Sequence, residues 1–498
     1  MKHKINWRKS CAAFILTILL TSSCNQFYGA SPSDPLPVPT SMPLLESTAT
    51  LSPPLFKPGD PTATPLGSDI TDPNYVDGVA ALYAGDYQKA IALLSAFIET
   101  NPDLAPPYRY RAVGYGGIGD CISALADEEK ALSIDPNYAA AYGARGSTYS
   151  CLGDDEKALQ DYAKALSLDP SLSFVHYNLG VHYYSHGDYE MSLAEYSTSA
   201  EIDPTRARAW LGKAEALTQL GRFDECIFNA MKTLEVNPEL WDAYSSRAYC
   251  EQFTGDNALV IADYTTFLEH NPENRDAWNN LGFAQVETGL NSEAVVSLSN
   301  ALELDPSYYL SNINRGLAYT ALGEYEKALD DFNRALEFGE IPAAYSGRGT
   351  IYYYLERYDE AISDLKIATD AMPGRPHSYC MLAYTYFEVE RYQDALDAAQ
   401  RVNEIAPGCG GERLFVVETH SYYALGQYEQ GIDFINTTFA NLGIYMAGYY
   451  YRGIMYAELG QNDEAIKDLE FFLASSTYLI DYDEQIADAR ERLVRLKP

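Results

Sequence analysis

Basic residues are scarce in this 498-residue chain: 35 Lys and Arg stand against 70 Asp and Glu. Such a surface repels phosphate backbones, so nucleic acid is not an expected partner. The same acidity serves as a solvated outer face that keeps a long molecule soluble. Apolar runs long enough to cross a bilayer, about 18 residues, are missing as well. Signatures of catalysis are also missing: there is no Gly-rich phosphate loop, no Gly-x-Ser-x-Gly elbow and no CxxC pair. Neighbouring carboxylates carry no message in so acidic a chain. No catalytic residue and no cofactor is expected, and the chain reads as a binding protein rather than an enzyme. What it has in quantity is apolar content, 47% of residues, enough for a large core and too much for disorder.

The N-terminus reads as a targeting segment. Lys2, Lys4, Arg8 and Lys9 precede a largely apolar stretch, Cys11 to Leu20, that fits a secretory h-region. Thr21, Ser22, Ser23 and Cys24 follow. This resembles the lipobox of bacterial lipoproteins, with Leu20 one place further from the cysteine than usual. The resemblance implies a signal peptide over 1–23 and lipid attachment at Cys24; ordinary signal cleavage near the same point is the alternative. Residues 24–70 turn rich in Pro, Ser and Thr, an extended composition that serves as a tether. The expected location is the outer face of a bacterial membrane, held through the N-terminal lipid alone.

Beyond residue 70 the dominant signal is a period. Pro102, Pro136, Pro170, Pro204, Pro238, Pro272 and Pro306 fall 34 residues apart. Gly85, Gly119, Gly153, Gly187, Gly221, Gly255, Gly289 and Gly323 keep the same step. After one shortened unit the pattern resumes with Pro373 and Pro407, then Gly426 and Gly460. In the unit from Ala139, Tyr142, Gly146 and Tyr149 form one helical stripe; Ala158, Tyr162 and Ala165 form another. Gly153 lies between them where the chain must turn, and Leu168-Asp169-Pro170 stops the second helix. Each unit is helix, turn, helix, stop.

The segment AAAYGARGSTYSCLGDDEKALQDYAKALSLDP resembles a tetratricopeptide repeat (TPR). Twelve units start near 71, 105, 139, 173, 207, 241, 275, 309, 342, 376, 412 and 446. The eleventh is the most divergent, with Gly431 in the alanine position and no terminal proline. The fold expected is all-α: a right-handed α-solenoid of TPR hairpins over 71–479 and a capping helix over 480–498. In that helix Ile486, Ala489, Leu493 and Leu496 share one side.

The resemblance further implies a concave groove lined by the first helix of each unit. The residues it selects are Phe174, Tyr177, Tyr184, Tyr249, Phe253, Asn279, Phe283, Tyr353, Tyr354, Tyr384, Phe387, Tyr423 and Tyr450. An aromatic, nearly uncharged groove suits a protein or peptide partner; the competing reading is that these rings pack on one another. The Lys/Asn set with which TPR chaperone adaptors clamp a terminal carboxylate is missing. Scaffolding of other envelope proteins is the leading expectation. A pilotin-like assembly factor of a secretion or pilus machine, or a cell-wall glycan-binding module, are the alternatives.

Three further patterns stand out. Six units carry an arginine eight residues before the turn position and an aspartate eight after: Arg111 with Asp127, Arg145 with Asp161, Arg247 with Asp263, Arg315 with Asp331, Arg348 with Asp364, and Arg452 with Asp468. Equal distances from a hairpin tip predict salt bridges within each hairpin. Cys121 with Cys151, and Cys226 with Cys250, lie at matching heights on successive helices and are candidate disulfides in an exported protein; Cys380 and Cys409 match less well. Small core cysteines are the alternative. Finally, His182 and His186 stand four apart with His176 nearby, but no glutamate follows His182, and no metal site is expected.

Overall fold

The computed structural model describes residues 71–443, 445–475 and 482–497. The signal segment 1–23, Cys24 and the tether lie outside the described residues. Among the described residues there are 25 α-helices and no strand. They fall into two compact units, one ending at Pro272 and one beginning at Glu273.

The first unit holds six hairpins. These are α1 (Pro73–Tyr83) with α2 (Tyr87–Thr100), α3 (Ala105–Gly117) with α4 (Cys121–Ile134), and α5 (Ala139–Cys151) with α6 (Asp155–Leu168). Next come α7 (Ser173–Ser185) with α8 (Tyr189–Ile202), α9 (Ala207–Gln219) with α10 (Phe223–Val236), and α11 (Asp242–Glu251) with α12 (Asn257–His270). The second unit repeats the pattern in α13 (Arg275–Glu287) with α14 (Asn291–Leu304), α15 (Tyr309–Ala321) with α16 (Tyr325–Leu336), and α17 (Pro342–Tyr354) with α18 (Tyr358–Ala371). It continues with α19 (Pro376–Glu388) and α20 (Tyr392–Ile405), α21 (Gly411–Ala424) and α22 (Tyr428–Asn441), and α23 (Met446–Glu458) and α24 (Asn462–Ser475), closing with α25 (Asp483–Leu496). The architecture is an α-solenoid.

Single residues explain the hairpin. Between α5 and α6, Gly153 turns the chain at φ 76°, a left-handed conformation that costs glycine little. Asp154 follows it, and its carboxylate accepts the Lys157 amide at 3.2 Å, capping α6. Asp86, Asp120, Asp188 and Asp256 cap their helices the same way, each cap contributing about 1 kcal/mol. α6 stops at Leu168 because Asp169, ahead of Pro170, is extended at φ −146° and ψ 98°.

The two helices approach closely because one glycine yields room to one ring. A Cβ on Gly146 would lie 2.7 Å from the Tyr162 ring. Tyr162 is thereby buried flat on α5. The same sixteen-residue relation recurs as Gly180 with Tyr196, Gly282 with Leu298, Gly316 with Phe332, Gly349 with Leu365 and Gly453 with Leu469. Gly431 has a local reason as well: a Cβ there would meet Met455 Sδ at 2.6 Å, so the methionine takes the space alanine fills elsewhere. Two turn positions break the glycine rule: Glu356 and Glu390 sit at φ 61° and 62°.

α25 packs Ala489 and Leu493 into the last core cluster, which includes Phe472 and Tyr450, with Ile486 and Leu496 partly buried against it.

Candidate functional site

The arginines and aspartates of six units meet within their hairpins, and each pair is bidentate. Arg111 Nε and Nη2 donate to Asp127 at 2.7 and 2.7 Å, and Arg145 to Asp161 at 2.6 and 2.9 Å. Arg247 reaches Asp263 at 2.7 and 2.7 Å, and Arg315 reaches Asp331 at 2.8 and 2.8 Å. Arg348 holds Asp364 at 2.6 and 3.0 Å, and Arg452 holds Asp468 at 2.6 and 2.9 Å. The aspartates are buried and the arginines nearly so. Each guanidinium is paired with the aspartate of its own hairpin, which leaves no row of free charged pairs for a substrate.

Two features of these clamps escaped the sequence reading. Four of the arginines spend Nη1 on the preceding hairpin: Arg111 on Ser95 at 3.0 Å, Arg315 on Ser299 at 2.9 Å, Arg348 on Asn333 at 2.8 Å and Arg452 on Asn436 at 2.6 Å. The signal was a small polar residue fifteen or sixteen places upstream. In three of the clamps, those of Arg111, Arg145 and Arg348, tyrosines three before and four after also flank the guanidinium, as Tyr142 and Tyr149 do at 5.4 and 5.8 Å from Arg145.

Cys121–Cys151 and Cys226–Cys250 are disulfides, each with Cα atoms 6.4 Å apart and each joining successive hairpins. Cys380 forms no bond with Cys409: it is a free thiol, and burial pushes it up to about 12. Such a thiol is inert at neutral pH.

In the first unit the selected aromatic positions are largely covered. Phe174 is buried, with the Arg109 guanidinium 5.8 Å from its ring. Tyr177 and Tyr184 are half-buried, the first against Tyr196 and the second against Tyr189. Tyr249 packs on Phe253, and Phe253 stacks on Phe223 at 4.0 Å while remaining exposed. Tyr249 and Phe253 pack on one another, while Tyr177 and Tyr184 pack on rings outside the selected set. The surroundings are not nearly uncharged, which corrects the expectation. Arg109, Arg208, Glu215 and Asp242 occupy the same first-helix positions as the aromatics. Burial, with Asp242 nearby, pushes the Glu215 carboxyl up to about 8. These residues were legible at those positions; the reading passed over them because it selected rings.

The second unit repeats the correction. Asn279 is buried, and its side-chain oxygen accepts from Ser311 at 2.9 Å and Asn314 at 3.1 Å, so it ties two hairpins together. Phe283 is half-buried. Tyr354 stacks on Tyr325 at 5.2 Å. Tyr353 and Tyr384 are buried around Arg413, whose guanidinium donates to the Tyr353 hydroxyl and lies 4.2 Å from the Tyr384 ring. Tyr353 in turn meets Glu388 at 3.4 Å. With Phe387, Val416 and Val417 they line a shallow cleft. Phe387 touches His420 edge-on at 5.1 Å.

Tyr423 and Tyr450 serve the closing helix. Tyr450 donates to Asp488 at 2.9 Å, and Arg492 donates to Tyr423 at 3.0 Å and to Glu458 at 3.1 Å. Glu287, Glu388 and Glu458 all hold the thirteenth position of their units, the place that Phe253 and Tyr354 hold in theirs. Burial alone pushes Glu287 up to about 7. His176 pairs with Glu195 at 2.7 Å, apart from His182 and His186.

Family models described as tetratricopeptide repeat or TPR repeat match residues 129–160, 151–187, 176–227, 276–308, 311–338 and 346–408. No curated protein matches the chain. Similar solved structures include the Cut9–Hcn1 hetero-tetramer of the APC/C, at 16% identity, covering 85% of this chain and 96% of that chain, with a TM-score of 0.41. Yeast Tom70 is similar at 17% identity over 85% of this chain and 95% of its own, with a TM-score of 0.35. A tetratricopeptide repeat protein from Parabacteroides merdae shows 21% identity over 52% of this chain and 99% of its own, with a TM-score of 0.35. Over those matched residues the hairpin, with its left-handed turn and its proline stop, is a tetratricopeptide repeat.

Proposed function

We propose that this chain is an exported, lipid-anchored scaffold that binds a protein or peptide along the first helices of its repeats. TPR repeats are interaction modules, and no residue pattern here assigns a reaction. The observation that carries the reading is the cleft around Arg413. It combines aromatic rings, a guanidinium and the Glu388 carboxylate on one face. That mixture suits a peptide bearing both an apolar and a charged group.

Export is supported by the basic and apolar N-terminus ahead of Cys24, and by two disulfides, which persist in oxidising compartments. The tether over 24–70 would hold the repeats away from the membrane surface.

The test is cross-linking with mass spectrometry in the envelope of cells that make the protein. A partner that cross-links near Arg413, and is lost in Arg413→Gln with the helical circular dichroism intact, supports the reading. Unchanged cross-links in that variant refute the site. A Cys24→Ser chain that stays in the membrane fraction refutes the anchor.

A further inference from the structure

We propose that Asp155, His182 and His186 form a binding site for a divalent late-transition-metal ion of the zinc class. The three donors come from two hairpins. His182 lies in the last turn of α7, and His186, four residues on, caps its C-terminal end; their ring centroids lie 4.2 Å apart. Asp155 opens α6, and its carboxylate meets both rings: Oδ2 is 3.2 Å from His186 Nε2, and Oδ1 is 3.7 Å from His182 Nδ1.

Those two distances bracket what an ion needs. Bonds of roughly 2.0–2.1 Å in a tetrahedron set neighbouring ligand atoms roughly 3.4 Å apart. All three donor atoms lie within 4.8 Å of one another, so modest turns of the half-exposed Asp155 and His186 side chains toward His182 would close the site.

The hydrogen bonding argues for a cation at this point. His186 Nδ1 lies 2.8 Å from the His182 carbonyl oxygen, which can only accept, so Nδ1 carries the proton. On a neutral ring Nε2 then presents a lone pair to a carboxylate oxygen, and two acceptors face each other. A proton on Nε2 relieves that clash but leaves His182 Nδ1, at 3.7 Å, too far from the carboxylate for a hydrogen bond. A metal ion would use all three donors together. A ligand histidine whose second nitrogen donates to a backbone carbonyl is the usual outer-shell arrangement. The neighbouring cation, Lys157, is engaged by Asp154 at 2.5 Å.

Two imidazoles and one carboxylate select zinc, nickel or copper over calcium and magnesium, which prefer oxygen. His186 and Asp155 are about half exposed, so a fourth position opens to solvent, as in sites that accept an outside ligand. Tyr183 follows His182 where a metalloprotease has its glutamate, so the assignment is binding and not hydrolysis. An ion here would fasten α6 to α7 across a junction between hairpins.

The experiment titrates the full chain with Zn2+ by calorimetry and with Co2+ by visible absorption. One saturable site per chain is expected, insensitive to excess Ca2+. The His182→Ala/His186→Ala double variant should lose it, and Asp155→Asn should weaken it roughly tenfold or more, both with unchanged circular dichroism. No saturable binding in the parent chain, equal affinity in the double variant, or displacement by Ca2+ would each overturn the proposal.

Discussion

Arg492 on the closing helix donates Nη2 to the hydroxyl of Tyr423, 69 residues earlier, at 3.0 Å. The same guanidinium holds Glu458 and Asp488 at 3.1 and 2.8 Å. One side chain thus staples α25 to the first helices of the two preceding hairpins. Arg492→Ala should loosen the C-terminal end by about 1.5–3 kcal/mol, the range for hydrogen bonds to charged groups. Hydrogen exchange should quicken in Met446–Glu458 and Asp483–Leu496, and exchange rates in the first unit should not move.

Breaking a hairpin clamp should cost more than removing it whole. Asp331 is almost wholly buried beneath Arg315. Arg315→Met strands that carboxylate and should destabilise the chain by about 3–5 kcal/mol. Adding Asp331→Leu should recover much of the loss. Urea denaturation of both single variants and the double variant measures the coupling; additive effects would contradict the clamp.

Glu356 and Glu390 occupy turn positions with a left-handed backbone, at φ 61° and 62°. That conformation costs a residue with a Cβ roughly 1–2 kcal/mol, and glycine's extra freedom when unfolded takes back roughly half. Glu356→Gly and Glu390→Gly should each raise the melting temperature. A Gly153→Glu change, at φ 76°, should lower it.

Glu418 keeps its proton to a higher pH than an ordinary surface carboxylate. Burial pushes it from 4.5 up to about 8, although the Asn403 amide donates to it at 2.8 Å. The folded chain therefore holds a proton that the unfolded chain releases near pH 4.5. Its contribution is present at low pH and is lost as pH rises from about 4.5 through about 8. Glu418→Gln should flatten that part of the stability profile, read as denaturation midpoints across the same range.

The fold was legible because its determinants are local and periodic. Gly153, Asp154 and Pro170 act within a few residues of themselves, and a period makes each visible many times. The clamps were legible for a related reason, since Arg145 and Asp161 stand at equal distances from one turn. The candidate site was legible only as a face. Position selects Tyr353 and Tyr384, but whether a ring is open depends on residues of other repeats, such as Arg413. The alliance of Asp155 with His182 and His186 was hidden likewise, because the histidines announce themselves and the carboxylate does not.

Six repeats have a guanidinium clasp, and the units starting near 173 and 207 are adjacent and without one. Under a steady pull on the chain, that stretch, like the equally unclasped units starting near 376 and 412, is an expected weak link and should give way before its clasped neighbours. The Cys226–Cys250 bond lies at its far edge, where it would halt the tear and limit how much chain a single yield event lets out.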